Sequence, residues 1–282
     1  MSQASTPLES QALMATLDEV ASTAPTACAG WSAHNIAAHL AAGSKEIADL
    51  IEDKLAGRAE RPTRGFSERE APFIALPDDE LRHAMATQGQ RKLAALAALA
   101  ALADSDDPAF QFTGRSFTVA QLSTHSRSEA ALHRWDVAGD DDLSDRLLTQ
   151  AELTRHAVDA LNTLPSLYEA PGWRAEHAGV TDRLRIVLRS PDTADIVYER
   201  TPHGARFDII DDGTANGDAL VTTDAANRLL TIWGRRSIER ALTLDTDSIS
   251  PDTVESILWS AAQPWPAPGQ ADQAAQASST LR

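Results

Sequence analysis

Cysteine is nearly absent: Cys28 is the only one in 282 residues. A single thiol excludes an intrachain disulfide and any zinc cluster built from cysteines. Lysine is almost as scarce, with Lys45, Lys54 and Lys92 alone among 25 basic residues. Those 25 face 41 acidic residues, for a formal net charge of −16 and a pI near 4.8. Phosphate backbones and anionic lipid surfaces are bound by clustered Lys and Arg, so neither nucleic acid nor a membrane is an expected partner. Long apolar runs are missing too. The longest, Leu93 to Ala103, is too short to span a bilayer. The first residues carry no basic segment followed by an apolar core, so a secretory signal is not expected and the cytoplasm is the expected compartment. Three familiar catalytic loops are also missing: G-x-S-x-G, G-x-x-x-x-G-K and G-x-G-x-x-G.

What remains is an apolar fraction of 43%, enough for a sizeable core, in a chain long for one domain and comfortable for two. The first two-thirds read as helical. After a helix over residues 6–22 and a turn in TAPTACAG, Ser32 and Asn35 stand at capping-box spacing, with Trp31 and Ile36 placed as a hydrophobic staple. That helix runs to a stop at Gly57. Residues 58–76 read as a loop, Asp78 to Ala103 as a third helix, and DSDDPAF as a loop leading to a fourth. The fourth starts as the second does. Phe117, Thr118, Gln121 and Leu122 repeat the staple and box, so His39 and His125 fall at equivalent places. A further helix is expected over about 144–168, and short connections between such helices favour a bundle.

The pattern changes near Pro171. LRIVLRS, ADIVYER and ARFDIID are short β-rich runs between turns, followed by ALVTTD, a helical run AANRLLTIWGRR, and a last helix after Ser250-Pro251. The expected fold class is α+β, with a helical unit over 5–170, an α+β unit over 171–262, and a disordered tail rich in Pro, Gln, Ala and Ser over 263–282.

The residues with chemical potential lie on the helices. Glu129 and His133 are four apart and share a helix face. His39 sits in the apolar run IAAHLAAG, where an unpartnered imidazole is costly to bury. Together the three can hold one divalent metal with a position left open, the layout of a catalytic site. The alternative for each histidine is a core residue bonded to a carbonyl. His125 precedes Glu129 by one turn and is a further ligand, a supporting group, a proton shuttle, or a solvent-edge residue. Asp136 either orients the His133 imidazole or begins the acidic helix end. Cys28 reads as a small buried turn residue rather than a nucleophile, because nothing in its sequence neighbourhood supplies a depressed pKa. His34, His83, His156, His177 and His203 lie in polar contexts and are expected at the surface.

Three segments carry a resemblance: CAGWSAHNIAAHLAAG, SEAALHRWDV and DALVTTDAANRLLTIWGRR, in this order over about 210 residues. Together they resemble the mycothiol-dependent maleylpyruvate isomerase family, which joins a DinB-like four-helix bundle to a small sterol-carrier-like α+β domain. The resemblance implies a divalent metal, typically zinc, held by His39, Glu129 and His133. It also implies the low-molecular-weight thiol mycothiol as cosubstrate, and an arginine of the second domain, here Arg235, reaching toward the substrate over the metal-bearing end. The implied activity is a transferase or isomerase that adds the thiol to a small electrophilic substrate. The alternative from another class is a non-enzymatic small-ligand-binding or regulatory protein on the same fold, which metal content would separate from the enzyme.

Overall fold

A computed structural model of the chain describes residues 6–101, 110–163, 178–180, 182–211, 213–236, 243–246 and 249–258. They fall into two compact units that divide between Asp140 and Asp141. The fold class is α+β, a helical unit followed by a unit built on a mixed sheet. No helix among the described residues is long and apolar enough to cross a membrane.

The first unit contains α1 (Leu8–Glu19), α2 (Ala33–Leu55), α3 (Phe66–Ile74), α4 (Asp78–Ala100), a hairpin of β1 (Phe110–Phe112) and β2 (Arg115–Phe117), and α5 (Val119–Ala138). Both anticipated capping boxes form. Ser32 and Asn35 exchange side-chain bonds with each other's backbone N–H, and Thr118 and Gln121 do the same. Two N–H groups that a helix start leaves open are thereby satisfied at each end. The apolar core joins Leu13 and Leu17 of α1, Ala33, Ala37, Ala38, Ala41 and Ala42 of α2, Phe73, Leu81 and Ala130. Alanine on the α2 face lets neighbouring helices approach closely.

Pairs of contacts give the directions. His34 meets Asp78 at the starts of α2 and α4, and Glu52 meets Arg91 further along both, so these helices are parallel. Asp136 lies beside Ala27, just before α2, while Glu129 faces His39, so α5 is antiparallel to α2. That reversal sets the faces of α2 and α5 that carry imidazoles opposite each other.

Two elements of this unit differ from the expectation. Residues 66–74, read as loop because of their charge and Pro72, form α3. Residues 110–117, read as a loop running into a helix, form the hairpin. Its turn puts Thr113 at φ 50° and Gly114 at φ 83°, the left-handed pair of a two-residue hairpin loop.

The second unit begins with α6 (Asp142–Leu148) and α7 (Ala151–Thr163). It continues through β3 (Leu184–Arg189), β4 (Asp195–Thr201), β5 (Gly204–Ile210), β6 (Ala219–Thr222), α8 (Ala225–Ile232), β7 (Thr243–Thr246) and α9 (Pro251–Leu258). The sheet order is β5-β4-β3-β6-β7, with β3 and β6 parallel and the other neighbours antiparallel. Gly217 admits the close approach that starts the parallel pair. A Cβ there would stand 2.6 Å from the Arg185 carbonyl oxygen, while the next residue, Asp218, accepts from the Arg185 N–H at 2.8 Å.

The helix expected to close the bundle, α7, packs on this sheet instead. The Asn162 amide brackets Phe207 of β5, donating to its carbonyl at 2.7 Å and accepting from its N–H at 3.0 Å. The unit boundary therefore precedes the change of periodicity near Pro171 by two helices, α6 and α7. His156 on α7 is buried rather than on the surface, because it shares an inward stripe with Leu153, Ala157 and Ala160. The expected disorder of 263–282, and His177, fall outside the described residues.

Candidate metal centre

His39, Glu129 and His133 converge. Their donor atoms lie within 4.8 Å of one another, although His39 and Glu129 are 90 residues apart in the chain. The Glu129 Oε2 atom is 3.5 Å from His39 Nε2 and 3.6 Å from His133 Nε2. Each imidazole is held from behind by another carboxylate. His39 Nδ1–H donates to Glu70 Oε1 at 2.7 Å, and His133 Nδ1–H donates to Asp136 Oδ2 at 2.8 Å. With Nδ1 committed as donor, Nε2 is the nitrogen left to face the centre, and a carboxylate behind an imidazole raises its basicity as a ligand. The walls are aromatic. Trp31 stacks on His133 at 6.4 Å and meets His39 edge-on at 5.4 Å, while Phe66 stacks on His39 at 5.9 Å.

Electrostatics follow from this packing. Burial alone raises the Glu129 carboxyl, but the His133 and His39 imidazoles beside it outweigh that and hold it well below the usual carboxylate range. Burial alone lowers His133; Asp136, Cys28 and Glu129 outweigh that and push it well above the ordinary imidazole value. Both shifts express one arrangement, a positive charge wanted between Glu129 and the His133 ring. A proton satisfies it, and so does a divalent cation that displaces the proton. Two Nε2 atoms and one carboxylate oxygen suit zinc or a similar divalent ion.

A second set of possible donors, Cys28, His133 and Asp136, lies next to the first. Cys28 Sγ–H donates to Asp136 Oδ2 at 3.2 Å, and the side chains of Cys28 and Asp136 are almost fully buried. An ion there would have to break the Asp136 bond that orients His133 and would have no open position. The first set is therefore the better centre. Asp136 takes the orienting role, and Cys28 is the buried turn residue its sequence context suggested.

His125 is not among the converging donors. Its ring packs on Phe112 and Phe117 of the hairpin at 6.1 and 5.8 Å, and burial lowers it. Arg235 belongs to the second unit, in the turn after α8, where its N–H donates to the Leu230 carbonyl at 2.9 Å. Sequence reasoning missed Glu70, because the segment that carries it was read as loop. The spacing of Phe66, Arg69, Glu70 and Phe73 was the available helical signal.

These features define a class: an α+β protein whose helical unit gathers two histidines and a glutamate, each histidine backed by a carboxylate, around one point. Comparison adds a likeness. Residues 8–138 match the model of the mycothiol maleylpyruvate isomerase N-terminal domain, so the helical unit is a domain of that kind. Two solved structures share the fold, both at 14% identity and covering 86% of this chain and 91% of theirs. They are crystal structures of the mycothiol-dependent maleylpyruvate isomerase, with a TM-score of 0.55, and of a histidine-to-alanine mutant of it, with a TM-score of 0.57. No curated protein sequence matches the chain significantly.

Proposed function

We propose that the protein is a metal-dependent enzyme that adds mycothiol, or a similar low-molecular-weight thiol, to a small electrophilic substrate, as a transferase or as an isomerase of the maleylpyruvate isomerase type. The observation that carries this reading is the paired use of each imidazole, with Nδ1 bonded to a carboxylate and Nε2 facing Glu129. His39, Glu129 and His133 would hold a divalent ion, zinc being the best match to the donors. Bound there, the ion supplies a positive centre that favours the ionised form of a thiol near neutral pH.

The chain's own residues do the rest. Glu70 and Asp136 keep both rings in one tautomer and one orientation. Trp31 and Phe66 exclude water from the rings, which strengthens every charge interaction between them. No protein nucleophile is needed, and the one cysteine is committed to Asp136. The external thiolate forms a sulfur–carbon bond to an unsaturated carbon, and the π pair moves onto the conjugated carbonyl oxygen. The former double bond can then rotate. Expelling the thiolate restores the double bond in the other geometry, which is isomerisation; protonating the carbon retains the adduct, which is transfer. Arg235 keeps the role the resemblance assigns it, as a guanidinium for an anionic part of the substrate.

Metal analysis of the purified protein with a mycothiol-conjugation screen tests the reading. One zinc per chain and thiol-dependent turnover are expected. A stable protein that takes up no divalent metal would support the non-enzymatic ligand-binding reading instead.

A further inference from the structure

The turn that precedes α2 reaches across to α5 and holds Asp136 from two sides. The Ala27 N–H donates to the Asp136 carbonyl at 2.7 Å, and the Cys28 thiol donates to the Asp136 carboxylate at 3.2 Å. Three residues further on, Trp31 lies on the His133 ring, with centroids 6.4 Å apart. The turn is itself fixed. The Thr26 N–H donates to the Trp31 carbonyl at 3.1 Å, and the Trp31 N–H donates to the Cys28 carbonyl at 2.9 Å. Pro25 and Ser32 pair across its base. Ser32 is also the N-cap of α2, the helix that carries His39. One short stretch of chain thus touches α5 and continues into α2.

Asp136 Oδ2 accepts from two donors, the Cys28 thiol at 3.2 Å and His133 Nδ1–H at 2.8 Å. One donor fixes a distance to the oxygen and leaves the carboxylate free to swing about its own bond. A second donor on the same atom removes that freedom. The Asp136 side chain is 0% exposed, so solvent does not replace a donor that is lost. A buried cysteine ordinarily serves as a small apolar residue with a weak S–H donor. Here Cys28 is buried with its sulfur against a carboxylate, in the place where a donor rather than an apolar group is useful.

We propose that Cys28 is a positioning residue of the metal centre. Through Asp136 it sets the direction in which His133 presents Nε2, and the turn that carries it registers α5 against His39 on α2. The inference rests on the centre proposed above and adds the group that holds one of its orienting carboxylates. Cys28 acts as an S–H donor. It is neither a ligand nor a nucleophile, and it forms and breaks no covalent bond.

The test compares Cys28→Ala with Cys28→Ser in the whole chain. The two side chains are close in volume and differ in the hydroxyl, so packing loss is shared and donation is not. Zinc affinity is read by competition with a chelator, and ligand geometry by the visible absorption of the cobalt(II)-loaded protein. A carboxylate directly behind a ligand is worth about 10–100-fold in affinity, and loss of one of its two donors should cost about threefold to tenfold. Cys28→Ala should show that loss and a shifted cobalt spectrum, while Cys28→Ser stays within about twofold of native with the native spectrum. Cys28→Val, which also lacks a donor, carries the same expectation as Cys28→Ala should that variant not fold. A serine variant that binds zinc no more tightly than the apolar one overturns the role of Cys28 and leaves the proposed function standing. A native protein that takes up no zinc overturns both, and is recognised before any variant is compared.

Discussion

Along one face of α2, His39 and Glu46 lie seven residues apart, and the carboxylates around them are used in opposite ways. Around His39, Glu70 and Glu129 meet imidazoles. An imidazole bonded at one nitrogen still presents the other, so the pairing orients a donor and passes it on. Around Glu46 the partners are guanidinium groups. Arg61 and Arg64 both bond its side chain at 2.7 Å, and the Arg64 N–H adds a bond at 2.9 Å. Asp49 takes Arg91 at 2.8 Å, and Asp53 takes Arg58 at 2.6 Å. A guanidinium only donates and a carboxylate only accepts, so nothing is left over. A cleft of about 570 Å³ opens among these ion pairs, and its lining includes none of His39, Glu129 and His133. Size is therefore a poor guide to the chemistry here; the free valence of the donors is the better one. The arginine cluster acts at a distance. It ties residues 58–64 down to α2, and so fixes where α3 begins and where Glu70 stands.

The sharpest break of this contrast is His133→Ala. It removes a donor and the ring that Asp136 orients, and metal content and thiol-dependent activity should both fall to background, read by elemental analysis and a turnover assay.

On the arginine side, Glu46→Ala leaves two guanidinium groups facing a buried gap. It should cost about 3–5 kcal/mol of stability in urea unfolding, with metal still bound by the folded fraction. The same carboxylate sets an acid limb. Burial alone raises Glu46, but Arg61 and Arg64 outweigh it and hold it at about 2, against an ordinary value of 4.5. A group depressed in the fold stabilises above its unfolded pKa. About 3 kcal/mol should thus be present above pH 4.5 and be lost as pH falls from there toward 2. Native Glu46 and Glu46→Gln, unfolded in urea between pH 6 and pH 3, should converge if this is correct.

A smaller effect is expected one step behind the donors. Asp136→Asn or Glu70→Gln keeps shape but removes the carboxylate behind an imidazole, and zinc affinity should drop by about 10–100-fold, measured by competition with a chelator. The smallest belongs to Cys28→Ser, which retains a donor to Asp136. Activity with external thiol should stay nearly intact. Its loss with metal retained would move the nucleophile into the protein and overturn the external-thiol mechanism.

How much of this was legible in the sequence depended on locality. The capping boxes at Ser32 and Thr118 are set by residues three apart, and the Glu129–His133 face by one helical turn, so both were readable. The gathering of His39 with them was inferred from its apolar flanks and from family resemblance. The hairpin was missed although FQFTGRSF has the alternation and the Gly of a tight turn, because the acidic, Pro-containing stretch before it read as loop. The side of the boundary on which α7 lies was not readable, since Leu153 and Leu161 suit a bundle and a sheet equally.

The separation in sequence between the parts of the centre has a consequence for how the protein is made. His39 and Glu129 are 90 residues apart, and Cys28 and Asp136 are 108 apart. Closing loops of that size is entropically slow and precedes any return from the contacts they bring. An isolated α5 offers an ion only the Glu129–His133 pair, whereas the third donor arrives when α2 docks. Metal capture thus reports on completed docking, and an ion present during refolding should slow unfolding far more than it speeds folding.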